Sequence, residues 1–150
     1  MGTELHRGRL VDHVHLVVKD LAASHRFYAA VFEVLGIPIG GGNVAAGFFW
    51  ADEIFISSVD ATAPSGQALS ATGKPTGWVH LAFQASDQAT VDRFYVAALA
   101  AGGRDNGPPG LRPYHPGYYA AFVLDPDDNN IEVVHHGAAN RSAPSVKITF

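Results

Sequence analysis

The chain has 150 residues, of which 47% are hydrophobic and 16% are charged, a composition typical of one compact domain and unlike that of disordered proteins. Its formal net charge is -4 with no cluster of Lys or Arg, which argues against nucleic-acid and membrane partners. The absence of cysteine excludes disulfides and thiolate chemistry. We see neither an apolar run near the roughly 20 residues that span a bilayer nor a secretory signal, and expect a cytoplasmic protein.

The first half of the chain begins with a β-rich run around His13 and His15, which predicts a strand. Asp20 is a candidate N-cap for a helix, whose apolar residues at helical spacing continue to Gly36. The helix is expected to end at that glycine. Two further strands are predicted, from Val44 to Trp50 and from Ile54 to Val59.

The second half follows a segment rich in Gly, Pro and small residues, which predicts a linker over residues 63–75. A strand around His80 leads to the candidate N-cap Asp87 and to a helix that is expected to end at Gly103. The polar run from Asp125 to Asn130 contains proline and predicts the turn of a hairpin. Its strands are predicted from Tyr118 to Leu124 and from Ile131 to His135.

The two halves repeat one unit, because His13 and His80 match at a spacing of 67 residues and several other identities fall at the same spacing. In both halves the predicted order of elements is one strand, one helix and three strands (βαβββ). We therefore predict an α+β fold of two modules, residues 10–62 and 76–136, with 137–150 as a C-terminal tail. The further matching pairs are Asp20 with Asp87, Arg26-Phe27-Tyr28 with Arg93-Phe94-Tyr95, Ala30 with Ala97 and Gly36 with Gly103.

A metal site is predicted from the alternation of side chains along the strands. The apolar residues beside His80 are expected to face the helix, which leaves His80 on the opposite face, with His13 at the equivalent place in the first half. Glu132 lies between Ile131 and Val133 and needs a partner on that helix-free face. Two imidazoles and one carboxylate form a set that holds Fe(II), Mn(II), Ni(II) or Zn(II). A strand histidine is more often only hydrogen bonded, but recurrence in both repeats favours the ligand role.

Further histidines and tyrosines are alternative candidates for the metal site or for contacts with a substrate. His15 shares a face with His13, but its repeat counterpart is Ala82, so it ranks second as a ligand. His135 and His136 are expected at a strand end, in contact with solvent. The loop from Leu111 to Tyr119 carries His115 and several tyrosines that are suited to orient a polar substrate or to transfer protons. In the competing interpretation these tyrosines only pack against the sheet.

Three segments resemble the vicinal oxygen chelate superfamily, which includes glyoxalase I, extradiol dioxygenases, and fosfomycin and bleomycin resistance proteins. They are HVHLVVKDLAASHRFY, VHLAFQASDQATVDRFY and AAFVLDPDDNNIEVV, the last of which is similar to the family's DPDG-x-x-IE hairpin. The resemblance covers roughly residues 10 to 136. It implies paired modules in a curved mixed sheet with a central cleft, one divalent metal ion on His13, His80 and Glu132, a small-molecule substrate, and a homodimer. His13 then belongs to the site of its own chain or, as in related small proteins, to that of its partner.

The sequence departs from the family pattern at two positions. The full glyoxalase set has a fourth acidic ligand in the last strand of the first module, where alignment places Phe55, and Glu53 would replace it only in a shifted register. Asp128 stands where the hairpin turn has glycine and is expected to adopt a positive φ angle.

The leading functional hypothesis is a metalloenzyme with glyoxalase-like lyase or isomerase chemistry, in which Glu132, His115 and Tyr119 are the catalytic candidates. One alternative is an Fe(II) extradiol-type dioxygenase with His115 or a tyrosine as proton donor. The other is a metal-free protein that binds a drug or metabolite, as the bleomycin resistance members do.

Overall fold

The computed structural model describes residues 4–143 and 145–149, in which two helices and eleven strands form two compact units. The α+β class predicted above is confirmed. In chain order the elements are β1 (Glu4–Arg7), β2 (Val14–Val18), α1 (Leu21–Leu35), β3 (Gly41–Asn43), β4 (Phe48–Ala51), β5 (Ile54–Ser58), β6 (His80–Gln84), α2 (Gln88–Ala100), β7 (Arg104–Asp105), β8 (Gly110–Leu111), β9 (Tyr119–Leu124), β10 (Asn130–His135) and β11 (Val146–Thr149).

The two units do not follow the boundaries of the two sequence repeats. The first unit contains the described residues of Met1–Leu21, Pro38–Pro75 and Asn140–Phe150, and the second contains Ala22–Ile37 and Thr76–Ala139. Nearly all of α1 therefore belongs to the second unit. The tail also takes part in the fold, because β11 pairs with β1 in an antiparallel ladder.

The first unit holds a four-stranded sheet in the order β2-β5-β4-β3, with β2 parallel to β5 and the other pairs antiparallel. The predicted strand from Val44 to Trp50 is wrong over its first four residues, because Val44 to Gly47 form a turn. The Gly47 amide donates to the Val44 carbonyl at 3.1 Å, and Gly47 adopts a φ of 85°, which favours glycine.

The second unit holds the sheet β6-β10-β9-β7, with β8 also paired to β9. Strands β6 and β10 are parallel, and β9 and β10 form the predicted antiparallel hairpin. Helix α2 lies against β9 and β10. Helix α1 reaches the same unit through Phe32, whose ring lies 6.0 Å from that of Phe83 on β6, and through a hydrogen bond from Tyr28 Oη to Asp125.

The structure confirms the predicted start of α2 and the predicted end of α1. Asp87 is the N-cap of α2, since its carboxylate accepts from the Thr90 amide at 2.7 Å. Helix α1 ends just before Gly36, which adopts a φ of 71°. Helix α2 ends before the predicted Gly103, at Ala100 with Ala101 as its C-cap, and the glycine with a positive φ is Gly102. Gly103 is instead required by packing, because a Cβ there would lie 2.5 Å from the Val123 side chain.

The hairpin turn positions β10 with a buried carboxylate. Asp125 is fully buried and accepts hydrogen bonds from the amides of Asp127 at 2.9 Å and Asn129 at 2.8 Å. Asn129 in turn accepts from the Val79 amide at 3.1 Å, which ties the turn to the start of β6. Asp128 has the expected positive φ, 68°. The turn thus sets the register of β10 against β6.

No described helix is both long and apolar enough to cross a membrane.

Candidate metal site

Side chains alternate along β10, so Glu132 lies on the face opposite that of Ile131 and Val133. Ile131 and Val133 are fully buried, and Phe83 of the neighbouring strand faces α1. Glu132 and His80 therefore share the face that is turned away from the helices. The sequence predicted the metal site on this face because the alternation of side chains along the strands places His80 and Glu132 there.

Glu132 and His80 form a close pair on that face. His80 Nε2 lies 2.8 Å from Glu132 Oε2, and the two side chains differ sharply in exposure, 52% for His80 and 3% for Glu132. In the parallel ladder His80 lies opposite Asn130, and Glu132 lies opposite Ala82. Because Ala82 has no side chain beyond Cβ, the carboxylate has room to turn toward the imidazole. The pair combines a buried carboxylate with a half-exposed imidazole.

Tyr118 engages the other oxygen of the same carboxylate. Its hydroxyl donates a short hydrogen bond to Glu132 Oε1. Burial, together with this bond to an anion, raises the pKa of Tyr118 to about 12, so the hydroxyl keeps its proton at neutral pH. Ala120, Phe122 and Val134 pack with Tyr118 into a small apolar cluster on this face. In these surroundings an unpaired carboxylate would be costly, and both of its oxygens have partners.

His13 belongs to the first unit and immediately precedes β2. Its side chain is 64% exposed, and its Nδ1 lies 2.7 Å from Asp12 Oδ1. The hydrogen bond to His13 is the main reason that the pKa of Asp12 is lowered. A carboxylate on one ring nitrogen orients many metal-binding histidines and leaves the other nitrogen for the metal. The Asp12–His13 pair has this arrangement, with Nε2 as the remaining ligand atom.

The structure thus brings together two of the three predicted ligands, His80 and Glu132. Within residues 4–143 and 145–149, no group of three or more His, Asp or Glu side chains is close enough to hold a metal ion. The 2.8 Å between His80 Nε2 and Glu132 Oε2 suits two neighbouring ligand atoms, because bonds of roughly 2.0–2.2 Å to one ion place them about 3 Å apart. The donor pair fits a divalent metal.

The first unit lacks an acid at the position equivalent to Glu132. His15 lies opposite Phe55 in the β2–β5 ladder, as Ala82 lies opposite Glu132 in the β6–β10 ladder. This register confirms the alignment that placed Phe55 there. Glu53 does not replace it on the strand, because it lies in the turn that joins β4 to β5.

His15 has a hydrogen-bond partner of its own. Its Nε2 lies 2.8 Å from Ser57 Oγ, and its ring packs edge-on against Phe55 at 5.0 Å. Burial lowers the pKa of His15, which favours the neutral imidazole. The role of His15 as a second-ranked ligand stays a prediction.

The predicted catalytic residues of the loop fall in two places. His115 lies beside Tyr118, with ring centroids 5.1 Å apart. Tyr119 points the other way, and its hydroxyl donates to Asp92 of α2 at 2.7 Å. Tyr119 therefore does not share the face of Glu132, and Tyr118 does. Sequence reasoning included Tyr118 among the tyrosines of this loop but selected Tyr119 as the catalytic candidate. Pairing the predicted strands across the Asp125 turn would have placed Tyr118 on the face of Glu132.

Comparison with known proteins agrees with this architecture. Residues 10–133 match the family model of the Glyoxalase/Bleomycin resistance protein/Dioxygenase superfamily. The chain belongs to this superfamily. A glyoxalase/bleomycin resistance protein from Albidiferax ferrireducens T118 is 31% identical, with a TM-score of 0.58, and the match covers 84% of this chain and 98% of that one. A search of curated proteins found no match.

Two more distant structures share the superfamily fold. A glyoxalase/bleomycin resistance protein/dioxygenase family enzyme from Burkholderia phytofirmans PsJN is 23% identical, with a TM-score of 0.61 and coverage of 83% of this chain and 97% of that chain. A lactoylglutathione lyase from Agrobacterium tumefaciens is 20% identical, with a TM-score of 0.58 and coverage of 84% and 92%. At these identities the likeness extends to the fold alone.

Proposed function

We propose that this superfamily member is a divalent-metal-dependent enzyme that chelates two adjacent oxygens of a small substrate and carries out glyoxalase-like lyase or isomerase chemistry. The observation that carries the proposal is the buried Glu132 carboxylate, held by His80 and Tyr118 on the helix-free face. A glutamate that served only the fold would not need an exposed imidazole on one oxygen. The shared fold of the lactoylglutathione lyase from Agrobacterium tumefaciens supports this choice of chemistry.

The proposed ligands are His80, Glu132 and His13, the last from the same chain or from the partner in a homodimer. The ion would be zinc, nickel, manganese or iron, and as a Lewis acid it would supply stabilisation of an enolate or alkoxide. Three protein ligands leave positions for substrate oxygens. Homodimer formation and a cytoplasmic location stay predictions.

The residues of the chain around Glu132 have distinct proposed roles. Tyr118 holds its proton at Oη and keeps Glu132 in a fixed orientation through the bond to Oε1. Phe122 and the apolar cluster exclude water from one side of the carboxylate. His115, exposed and in contact with Tyr118, is proposed to exchange protons with a bound substrate. The Tyr119 hydroxyl donates to Asp92, so the proposed mechanism assigns the contact with Glu132 to Tyr118 and not to Tyr119.

An Fe(II) extradiol-type dioxygenase is the second candidate, and Phe55 is the observation that favours it. Because the first unit has no acid opposite His15, the predicted ligand set is two histidines and one carboxylate. That set is the one used by many non-haem Fe(II) oxygenases. The identity of the bound metal separates the two candidates.

The test is to purify the protein without added metal and measure bound metal by elemental mass spectrometry. We expect about one ion per chain. The variants His13→Ala, His80→Ala and Glu132→Gln should each lose it, while the control His25→Ala on α1 should retain it. Zinc, nickel or manganese would favour lyase or isomerase chemistry, and iron would favour the dioxygenase. No metal, even after incubation with each ion, would contradict the proposal and favour a metal-free binding protein.

A further inference from the structure

An arginine that the proposed mechanism does not use lies on the same face of the sheet as Glu132. Arg112 follows β8, and its backbone amide donates to the Tyr118 carbonyl at 2.8 Å. Arg112 therefore extends the β8–β9 ladder by one residue and lies opposite Tyr118. Residues opposite one another in an antiparallel pair point to the same face. Because Tyr118 bonds to Glu132, Arg112 belongs to the face that carries the candidate metal site.

Contact with Phe122 places the charge of Arg112 near the proposed metal ligands. The guanidinium carbon lies 5.3 Å from the centroid of the Phe122 ring, within the range of a cation–π interaction. Phe122 lies opposite Glu132 in the β9–β10 ladder, and its ring centroid is 6.0 Å from that of His80. The guanidinium and the His80 imidazole are thus both neighbours of one aromatic ring. A small organic molecule can span the distance between them.

The backbone around Arg112 holds the guanidinium in place. Its Nη2 donates to the Pro108 carbonyl at 2.7 Å, and its Nη1 donates to the Leu111 carbonyl at 3.3 Å. Two glycines leave room for it, because a Cβ on Gly110 would lie 3.0 Å from Nη1 and a Cβ on Gly107 would lie 3.3 Å from Nη2. The group is therefore oriented before any ligand binds, which lowers the entropic cost of binding. Its remaining N–H groups are available to a ligand.

Arg112 also differs from other arginines of the chain in its partners. Arg7 pairs with Asp12, and Arg104 pairs with Asp128. Across the residues that the structure describes, Arg112 forms no ion pair with a carboxylate, and the acceptors of its side chain are neutral carbonyls. The residue is half-buried. A guanidinium in such a place is suited to bind a carboxylate from a ligand.

We propose that Arg112 determines substrate specificity by binding a carboxylate of the substrate. The substrate class is a small carboxylic acid that presents two adjacent oxygens to the metal site and its carboxylate to Arg112, with its carbon skeleton against the Phe122 ring. A guanidinium and a carboxylate form charge-assisted hydrogen bonds that are often bidentate. A site built for such a group discriminates against molecules that lack it. The inference rests on the proposed function for the metal-bound end of the substrate.

The test compares catechol with protocatechuate, which is catechol with one carboxylate added to its ring. Both probes present adjacent oxygens to a metal, and the protein is loaded with zinc because zinc has no redox chemistry. Calorimetry on the wild-type protein should show that protocatechuate binds at least about tenfold more tightly than catechol. Equal affinities for the two probes would overturn the inference.

Variants of Arg112 test whether its guanidinium causes that preference. Arg112→Met removes the charge but keeps an apolar chain, so it should lose the preference for protocatechuate and keep the affinity for catechol. Arg112→Lys keeps the charge without the planar fork and should retain only part of the preference. The control Arg9→Met, which changes an exposed arginine of the first unit, should bind both probes like the wild type. An undiminished preference in Arg112→Met would overturn the inference.

Two further measurements separate failure of this inference from failure of the proposed function. Arg112→Met should retain the metal that His80→Ala and Glu132→Gln lose, and loss of metal from it would overturn the role of Arg112 as a substrate contact. If the wild type binds no metal, the proposed function fails, and NMR of the Arg112 Nε–H group in the metal-free protein tests the carboxylate site alone. We expect this resonance to shift with benzoate and not with the neutral probe benzyl alcohol. No shift with benzoate would overturn the inference.

Discussion

The β2–β5 pair of the first unit and the β6–β10 pair of the second unit have the same parallel register but different chemistry. His15 lies opposite Phe55 in one, and Ala82 lies opposite Glu132 in the other. In the first pair the position is filled by aromatic packing, since the Phe55 ring stacks on Phe48 at 5.4 Å. In the second it is filled by a buried anion. A repeated backbone therefore carries two kinds of site, and one side chain in each ladder decides which.

The largest expected effect comes from replacing the side chain that distinguishes each ladder, Glu132 in one and Phe55 in the other. Glu132→Gln keeps the size of the side chain but removes its charge, and should abolish metal binding measured by elemental analysis. Phe55→Ala, the matched change in the other ladder, should retain the metal and lose only stability. Retention of metal in Glu132→Gln, or its loss in Phe55→Ala, would reverse the roles assigned to the two ladders.

A second experiment tests whether the two histidine positions serve one site across two chains. If His13 completes the site of a partner, mixing His13→Ala with His80→Ala chains creates heterodimers with one intact site and one doubly defective site. We expect such a mixture to recover bound metal, at about a quarter of the wild-type level for random pairing in fully dimeric protein. Each variant alone is the control and should bind none. No recovery after verified exchange of chains would place all three ligands in one chain.

The third prediction compares two neighbouring tyrosines at the start of β9, Tyr118 just before the strand and Tyr119 in it, whose hydroxyls bond to different partners. Tyr118→Phe leaves Glu132 Oε1 without its donor in an apolar cluster, and should lower the free energy of unfolding by about 1–3 kcal/mol. Tyr119→Phe breaks an exposed bond to Asp92 and should cost no more than about 0.5 kcal/mol. Urea unfolding of both variants measures the difference, and equal effects would contradict the assignment of Tyr118 to the site.

The raised pKa of Tyr118 adds a pH dependence with a definite sign. Because the folded pKa, about 12, exceeds the ordinary value of 10.0, the stabilisation is fully present below pH 10 and is lost as the pH rises toward 12. Wild-type protein should therefore lose part of its advantage over Tyr118→Phe in that interval. Carbon-13 NMR of labelled tyrosines measures the titration directly, and an ordinary Tyr118 pKa would contradict the buried bond to Glu132.

The smallest effect concerns the capped helix of the second unit. The hydrogen bonds from the Thr90 side chain and amide lower the pKa of Asp87. Its charged form therefore stabilises the fold above the unfolded pKa, and this stabilisation is lost as the pH falls through the folded pKa. Asp87→Asn keeps the cap without the charge. The stability of wild type relative to Asp87→Asn should thus decline between neutral pH and about pH 3. A constant difference across that range would show that the charge has no role.

Much of the second unit could be predicted because its signals are local. The strand that carries Glu132, the turn at Asp125 and the cap at Asp87 each depend on residues a few positions apart, and the structure has all three. The tyrosine selected from the sequence, Tyr119, is one position away from Tyr118, which lies on the face of Glu132. The reason is that the face of a strand residue depends on the exact register of its hairpin, and a shift of one residue exchanges the faces.

By itself the sequence determined the repeat, the α+β class, the strand faces of His80 and Glu132, and the absence of an acid at Phe55. Only the tertiary structure decided that α1 belongs with the second unit, through Phe32 on Phe83, and that His115 pairs with His136. The physical reason is the range of the interactions. Periodicity and turn chemistry are encoded within a few residues, whereas a contact between segments 21 or more positions apart depends on how the whole unit packs.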